Sequence, residues 1–466
     1  MRQELMKGSI TSASHRETRQ AWLLLGVLLL AYISSIIDRV VISFVVQPMK
    51  LAFGVSDSAV SYLGGIAFTL FYAVLGLPIA LFADRLHAGK FTRHHLIASG
   101  IAVWSIATML CGLTTTYTEM FSARIGVAIG EAVLGPVAYA LLAGAFSHER
   151  RALALSIYGM GIPIGQGIAY WVAGIAVHYA SSMPTISLSQ IVGLDIAVWV
   201  IPGWQFIFFI VGFPGLVIAL MLACIPYRRV EHQPIVYHDS PSKKYLSLSA
   251  FLRQHHRGVL WHCVGFGAFA LYYQGAGFWF VEHFVRSYGW RKADIGAVYG
   301  LCSALFGTIG LLAGGLYSKQ QGATISELIR RKYHVLQVCA VSLVLVGTAM
   351  PLMPTGLTSA LMLGCVCCVC VAPYGIASAV IQDIAPLHLR AQIGGVYLLI
   401  LNIIGSVLGP IMVSWVTEHG FGVSTALRYS ISIIGFSAGV VSFWMMRKAC
   451  KILVQDHTAN RNNAEA

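Results

Sequence analysis

Four ionisable residues, Asp38, Arg39, Arg124 and Glu131, lie inside apolar stretches of a 466-residue chain of which only 11% is charged. A charge in hydrocarbon is costly and persists mainly where it meets a partner, a water-filled path or a solute. Asp38 and Arg39 are about 100° apart around a helix and do not face the same way. With Ser34, Ser35 and Ser43 they nevertheless form a broad polar stripe. Arg124 and Glu131 are two helical turns apart and share a face, at roughly 10 Å along the axis. That gap fits a solute group or a third residue, and Gly126 and Gly130 between them permit close approach. Arginine keeps its charge, so Arg124 serves either an anionic solute or Asp38. A carboxyl responds to desolvation and to nearby cations, which is what a proton carrier needs. The pattern points to Asp38, Glu131 and Arg124 as proton-coupling groups, and to Arg39 and Arg124 as cations facing an anionic solute. Both amide variants, Asp38→Asn and Glu131→Gln, are then expected to lose proton-driven accumulation without losing the fold. A structural ion pair is the competing reading.

Weaker candidates follow. Tyr158-Gly159-Met160-Gly161-Ile162-Pro163-Ile164-Gly165-Gln166 combines close-packing glycines with a proline that removes a backbone donor. Gly161, Pro163 and Gly165 are candidate gating positions, and Tyr158 and Gln166 candidate solute contacts. Tyr272, Tyr273, Gln274 and Trp279 form an aromatic, amide-bearing stretch suited to an amphipathic solute, and Asn402 is a lone amide in an apolar run. Asp84-Arg85, a polar pair closing the second apolar run, are further candidate gating positions. Cys365 and Cys368 could share a helix face, but small packing residues are the plainer reading, and no metal is expected. His94-His95 and His255-His256 read as solvated loop pairs. No phosphate-binding loop and no nucleophile–base arrangement is present. Neither an enzyme nor a bound cofactor is expected; a proton gradient is the energy source.

These residues must be held by membrane helices. The chain is 57% hydrophobic, with mean hydropathy +0.74. About twelve apolar runs are long enough to cross a bilayer. The expected fold is an all-α membrane protein, twelve transmembrane helices in two six-helix bundles. The segments are a cytoplasmic N-terminal tail (1–19), a first bundle (20–226), a cytoplasmic loop (227–257), a second bundle (258–446) and a cytoplasmic tail (447–466). The first run contains Asp38 and Arg39 and lacks a small-x-small cleavage site, so it reads as a retained helix. The formal net charge of +13 is explained by loop cations on one face, so nucleic acid is not an expected partner. Lys50, Arg286, Arg291, Lys292 and Arg428 are the few on the opposite, external face. Both termini are expected in the cytoplasm, in an inner (cytoplasmic) membrane, with membrane lipids around a monomer. The split into six and six suggests a parallel internal repeat. The 180–203 stretch is longer than a turn requires, with an interfacial segment and a plain loop both open.

Asp84-Arg85-Leu86-His87-Ala88-Gly89-Lys90, after the second of six plus six helices, resembles the signature of the major facilitator superfamily, with Ala80 where a glycine is usual. Ile37-Asp38-Arg39, Ala123-Arg124-Ile125-Gly126 through Gly130-Glu131-Ala132, and Arg151 through Ser156 and Tyr158 are similar to the Spinster branch. Gly203-Trp204-Gln205 (Gln205 in place of an arginine), Arg390-Ala391-Gln392, Asn402, Gly409-Pro410 and Thr417-Glu418 extend the likeness. The resemblance implies alternating access with proton coupling through Asp38, Arg124 and Glu131. It leaves the solute open between a small amphipathic organic anion and a lysophospholipid or sphingoid lipid. A non-transporting membrane receptor is the alternative from another class.

Overall fold

The computed structural model describes residues 2–85, 92–146, 148–159, 161–182, 185–187, 200–225, 248–318, 325–386 and 389–465. Eleven helices among them are long and apolar enough to cross a membrane. They are Arg19–Phe44, Asp57–Gly76, Arg93–Cys111, Tyr117–Leu142, Leu153–Tyr179, Gly203–Cys224, Lys292–Gly314, Ser326–Leu352, Gly356–Ile381, Gln392–Phe421 and Ser424–Gln455. The remaining span, seventh in chain order, is the helix Leu248–Ala270 with its continuation through Leu271–Ala276 to Gly277–Tyr288. Its apolar character is diluted by His262, Tyr272, Tyr273, Gln274, Glu282 and His283. The fold is thus the expected twelve-helix membrane fold. Leu220, Leu312, Leu361, Trp171 and Trp444 face outward, as lipid-facing residues do where the surrounding solvent is apolar.

Several helix boundaries differ from expectation. The first helix begins at Arg2 and the ninth at Ile325. Helix Leu248–Ala270 takes in His255 and His256, with a kink at His255 (φ −108°, ψ 15°), so this pair is not in a loop. His94 is also helical and buried. Thr92 explains why: its Oγ1 lies 2.7 Å from His94 Nδ1 and 2.8 Å from His95 Nδ1, satisfying polar atoms at a helix start. The 180–203 stretch contains a two-stranded antiparallel ribbon, β1 (Thr185–Ser187) on β2 (Val200–Pro202), with Ile186 opposite Ile201. The interfacial segment considered for 191–200 lies largely outside the described residues, as do most of the 227–257 loop and Gly89, Lys90 and Lys319.

By packing, the chain forms two units that interleave in sequence. One comprises Met1–Arg39, Val74–Ala169 and Ala180–Ser242; the other comprises Val40–Ala73, Tyr170–Tyr179 and Lys243–Ala466. Glycines set the close helix contacts in each. In the first unit a Cβ on Gly130 would lie 2.5 Å from Trp104 N and 2.7 Å from Gly100 O, and one on Gly212 2.8 Å from Ser105 O. The third span therefore meets the fourth and the sixth backbone to backbone. In the second unit the ninth and twelfth spans do the same, with the Cβ position of Gly435 2.7 Å from Gly347 O. Third with sixth and ninth with twelfth are the same pairing displaced by six helices.

In the second unit, four spans carry π-helical turns among the described residues: Gly65–Leu70, Leu271–Ala276, Ser303–Gly307, and both Asn402–Leu408 and Val416–Phe421 in the eleventh. Such turns widen a helix by one residue and interrupt its regular bonding. Those of the second and eleventh spans touch: a Cβ on Gly65 would lie 2.9 Å from Val407 O.

Candidate functional site

The first unit brings Asp38, Arg39, Arg124 and Glu131 together in two crossed ion pairs. Arg124 Nη1 donates to Asp38 Oδ1 at 2.7 Å, with both side chains buried, 1% and 2% exposed. Thr108 of the third span donates its hydroxyl to Asp38 Oδ2. Arg39 contacts Glu131 Oε2 from both Nε and Nη2 at 2.8 Å, and Ser35 Oγ donates to the same oxygen at 2.6 Å. The Arg39 side chain is 33% exposed and that of Glu131 is fully buried. Glu131 Oε1 is buried without a hydrogen-bond partner.

Local sequence explains this arrangement. Adjacent residues on the first helix, about 100° apart, straddle the face of the fourth span, so Asp38 reaches Arg124 while Arg39 reaches Glu131. The space between Arg124 and Glu131, read as room for a solute group or a third residue, is thus bridged by the first helix itself. Glu131 ends the helix Tyr117–Glu131, and a new helix, Leu134–Ala145, starts after two intervening residues. Pro136 in that first turn lacks a backbone donor, and a break before it relieves the clash a proline would cause inside a continuous helix. The Gly100–Gly130 approach brings the third span close enough for Thr108 to reach Asp38. Sequence alone does not single out Thr108; no periodicity marks a lone threonine in an apolar run. Ser35 belongs to the polar stripe.

Other candidates in this unit have packing partners. Tyr158 is buried, stacked on Tyr32 (centroids 5.1 Å apart) and edge-on to Tyr139 at 5.1 Å. Gln166 is half-buried. Gly161 and Gly165 seat the fifth span on the first, their Cβ positions 2.7 Å from Leu29 Cδ1 and 2.8 Å from Ile36 Cδ1; Pro163 lies between them. Asp84 and Arg85 end the helix Phe71–Arg85, with side chains outside the described residues. Gln205 Nε2 donates to Thr114 O at 2.5 Å, tying the sixth span to the end of the third.

The second unit holds the remaining candidates. Tyr272 and Trp279 are buried, and their polar atoms are spent on backbone: Tyr272 OH to Gly347 O and Trp279 Nε1 to Pro410 O, both at 3.1 Å. Gln274 is half-buried, donating from Nε2 to Tyr374 OH at 3.1 Å. Tyr273 lies edge-on to Tyr374 at 5.9 Å. Asn402, half-buried, opens the π-turn of the eleventh span. Cys367 and Cys370 are buried and all ten cysteines are free thiols.

This unit also contains a cluster that sequence reading misses. Asp57, Glu282, Arg286, Lys50 and Lys292 form connected ion pairs. By sequence pattern the three cations count as ordinary external loop charges. Instead Arg286 lies on helix Gly277–Tyr288 with only 8% of its side chain exposed. Glu282, an acid one turn before Arg286 on the helix Gly277–Tyr288, is the available signal.

Several proteins resemble this chain. An MFS-type efflux pump of Mycolicibacterium smegmatis is 26% identical over 315 residues, 65% of this chain and 63% of that protein. The sphingosine-1-phosphate transporter SPNS2 of Danio rerio is 23% identical over 68% of this chain and 59% of its own length. Each match thus spans less than two thirds of the relative. A crystal structure of a bacterial homologue of the human lysosomal transporter Spinster superposes with a TM-score of 0.74 at 23% identity, covering 94% of this chain and 97% of that one. The family profile of the Major Facilitator Superfamily matches residues 28–410. With twelve helices, a buried charge cluster and that match, the chain is a multi-pass membrane protein of the Major Facilitator Superfamily, similar to the Spinster proteins.

Proposed function

We propose that the protein is a proton-coupled secondary transporter of an amphipathic organic anion, working by alternating access, with Glu131 as the exchangeable proton site. The observation that carries this is the asymmetry of the two ion pairs. Protonating Asp38 would take the carboxylate from a guanidinium that is 1% exposed, and breaking one side of a buried pair is strongly destabilising. Protonating Glu131 takes the carboxylate from a guanidinium that is 33% exposed, which leaves less buried charge than the same step at Arg124. Glu131 Oε1 is free to receive the proton while Oε2 keeps the Ser35 hydroxyl. Arg39, released from the neutral acid, is then a cation for the solute's anionic group. Asp38, Arg124 and Thr108 hold the first, third and fourth helices in register.

In proteoliposomes, addition of the correct acid should drive proton movement, and Glu131→Gln should keep solute exchange while losing accumulation against a gradient. Full accumulation by Glu131→Gln would refute the assignment. A sphingoid or lysolipid phosphate is the second reading, favoured by the SPNS2 relative and chemically still an amphipathic anion. Redistribution of a labelled sphingoid phosphate between leaflets, with no flux of water-soluble acids, would select it. Tight solute binding with no flux of any kind would leave a receptor.

The charge pattern supports cytoplasmic termini and an inner membrane; protease accessibility of a tag on either terminus in inside-out vesicles tests it.

A further inference from the structure

In the second unit, the start of the seventh span and the end of the twelfth carry cations that have no part in the reading above. The two helices run antiparallel and touch at small residues: the Cβ position of Gly258 is 2.4 Å from Leu453 Cδ2, and that of Gly265 is 3.0 Å from Met445 Cβ. Beside this contact, Lys448 Nζ lies over the half-buried Trp261 ring, 4.8 Å from its centre. Val441, Trp444, Lys448 and Lys451 repeat at intervals of three and four, so they share one face of span twelve, and all four are exposed. Arg257, also exposed, stands one turn from Trp261 on span seven. The Gly258–Leu453 contact puts it within about one helical turn of the level of Lys451. Depth follows from the sequence. Between Arg428 and Arg447 span twelve carries no charge, a stretch roughly 29 Å long that matches the hydrocarbon thickness of a bilayer. Lys448 and Lys451 therefore lie in the headgroup layer, and Trp444 and Val441 just inside it.

We propose that this face binds an anionic phospholipid of the surrounding leaflet, with its phosphate among Arg257, Lys448 and Lys451 and an acyl chain along Trp444 and Val441. Charge supports it first. Residues 248–270 and 427–455 contain no Asp or Glu, so the two helices supply the cations without a counter-charge. At the same end of the neighbouring spans, Asp383 is paired with Lys332, and Glu327 stands one turn before two bases, Arg330 and Arg331. Shape supports it second. Cations at headgroup depth directly below an apolar, outward lane match the amphipathic form of a phospholipid, and basic sites between helices at that depth hold anionic headgroups. Preorganisation is the third support. A lysine at a membrane helix end commonly stretches away toward water. The Trp261 face instead attracts the Lys448 ammonium and keeps it at the seam, so less side-chain freedom is lost when a phosphate arrives. An acidic protein segment would match the cations but not the lane beneath them, which lies at the depth of the acyl chains.

Binding is read without solute flux, so its outcome is independent of the transport reading. The full-length protein in detergent is titrated with phosphatidylglycerol or with phosphatidylcholine of the same acyl chains, and bound lipid is counted by native mass spectrometry. The first phosphatidylglycerol should bind about tenfold more tightly than the first phosphatidylcholine. One cation near an anionic headgroup is worth about fivefold in affinity. Lys448→Gln and Arg257→Gln should each lower phosphatidylglycerol affinity by about that factor and leave phosphatidylcholine unchanged, whereas Lys448→Arg should keep both. Each glutamine variant stands in if the other fails to fold. Arg291→Gln removes the same charge from an exposed site beyond the opposite end of span seven and should change neither affinity. Equal affinity of the parent for the two lipids would overturn the site. So would unchanged phosphatidylglycerol affinity in both glutamine variants, or an equal loss in Arg291→Gln, which would reduce the effect to net charge.

Discussion

Substituting Asp38 by asparagine in this protein removes a charge but almost no volume, so its effect isolates the electrostatics of the buried pair. The Arg124 guanidinium, 1% exposed, would face a neutral amide in place of the first helix's carboxylate. Breaking one side of a buried pair costs about 3–5 kcal/mol. The unit that contains it has about 200 residues, and in a domain of that size each kcal/mol moves Tm by roughly 2–4 °C. Asp38→Asn should therefore lower Tm by roughly 6–20 °C. Arg124→Met should fall in the same range, leaving Asp38 stranded instead. The double variant buries no charge at that point and should recover most of the loss, because replacing both members of such a pair is often near neutral. A thiol-reactive fluorogenic dye suits the measurement, since Cys111 is buried within one turn of Thr108 and becomes reactive when the unit opens. A Tm for Asp38→Asn within about 2 °C of the parent, or a double variant no more stable than the worse single one, would refute the reasoning.

Glu131→Gln should behave differently in the same assay. Its partner Arg39 is a third exposed, so less charge is left buried than when Asp38 is replaced, and Tm should fall by less than in Asp38→Asn, while accumulation in proteoliposomes is lost. Gly130→Ala should destabilise by about 1–3 kcal/mol, because its Cβ would lie 2.5 Å from Trp104 N. Gly76→Ala meets no atom within 4 Å and should be neutral or slightly stabilising in the same thermal assay. Trp279→Phe should cost about 1 kcal/mol through the lost bond to Pro410 O, and lower Tm without changing which solute elicits flux.

The sequence by itself determined the membrane fold and the residues to watch. A bilayer forces backbone polar groups to be satisfied within each segment, so long apolar runs have only the helix open to them. The same cost makes Asp38, Arg124 and Glu131 conspicuous in hydrocarbon. Helical angles placed Arg124 and Glu131 on one face and separated Asp38 from Arg39. Which acid meets which base was not legible, because pairing depends on how two helices cross, and Gly100, Gly130, Gly161 and Gly165 set that crossing through contacts distant in sequence. Tertiary structure therefore separated Asp38 from Glu131, which sequence treats alike, by giving one a buried partner and the other a partly exposed one. It also reassigned Lys50, Arg286 and Lys292 from loop charges to members of a buried cluster. Near a helix end, a cation reads as solvated until a carboxylate from another segment is seen against it, and Asp57 and Arg286 are 229 residues apart. Local pattern carries the cost of burying a charge; only the packed chain supplies the partner that offsets it.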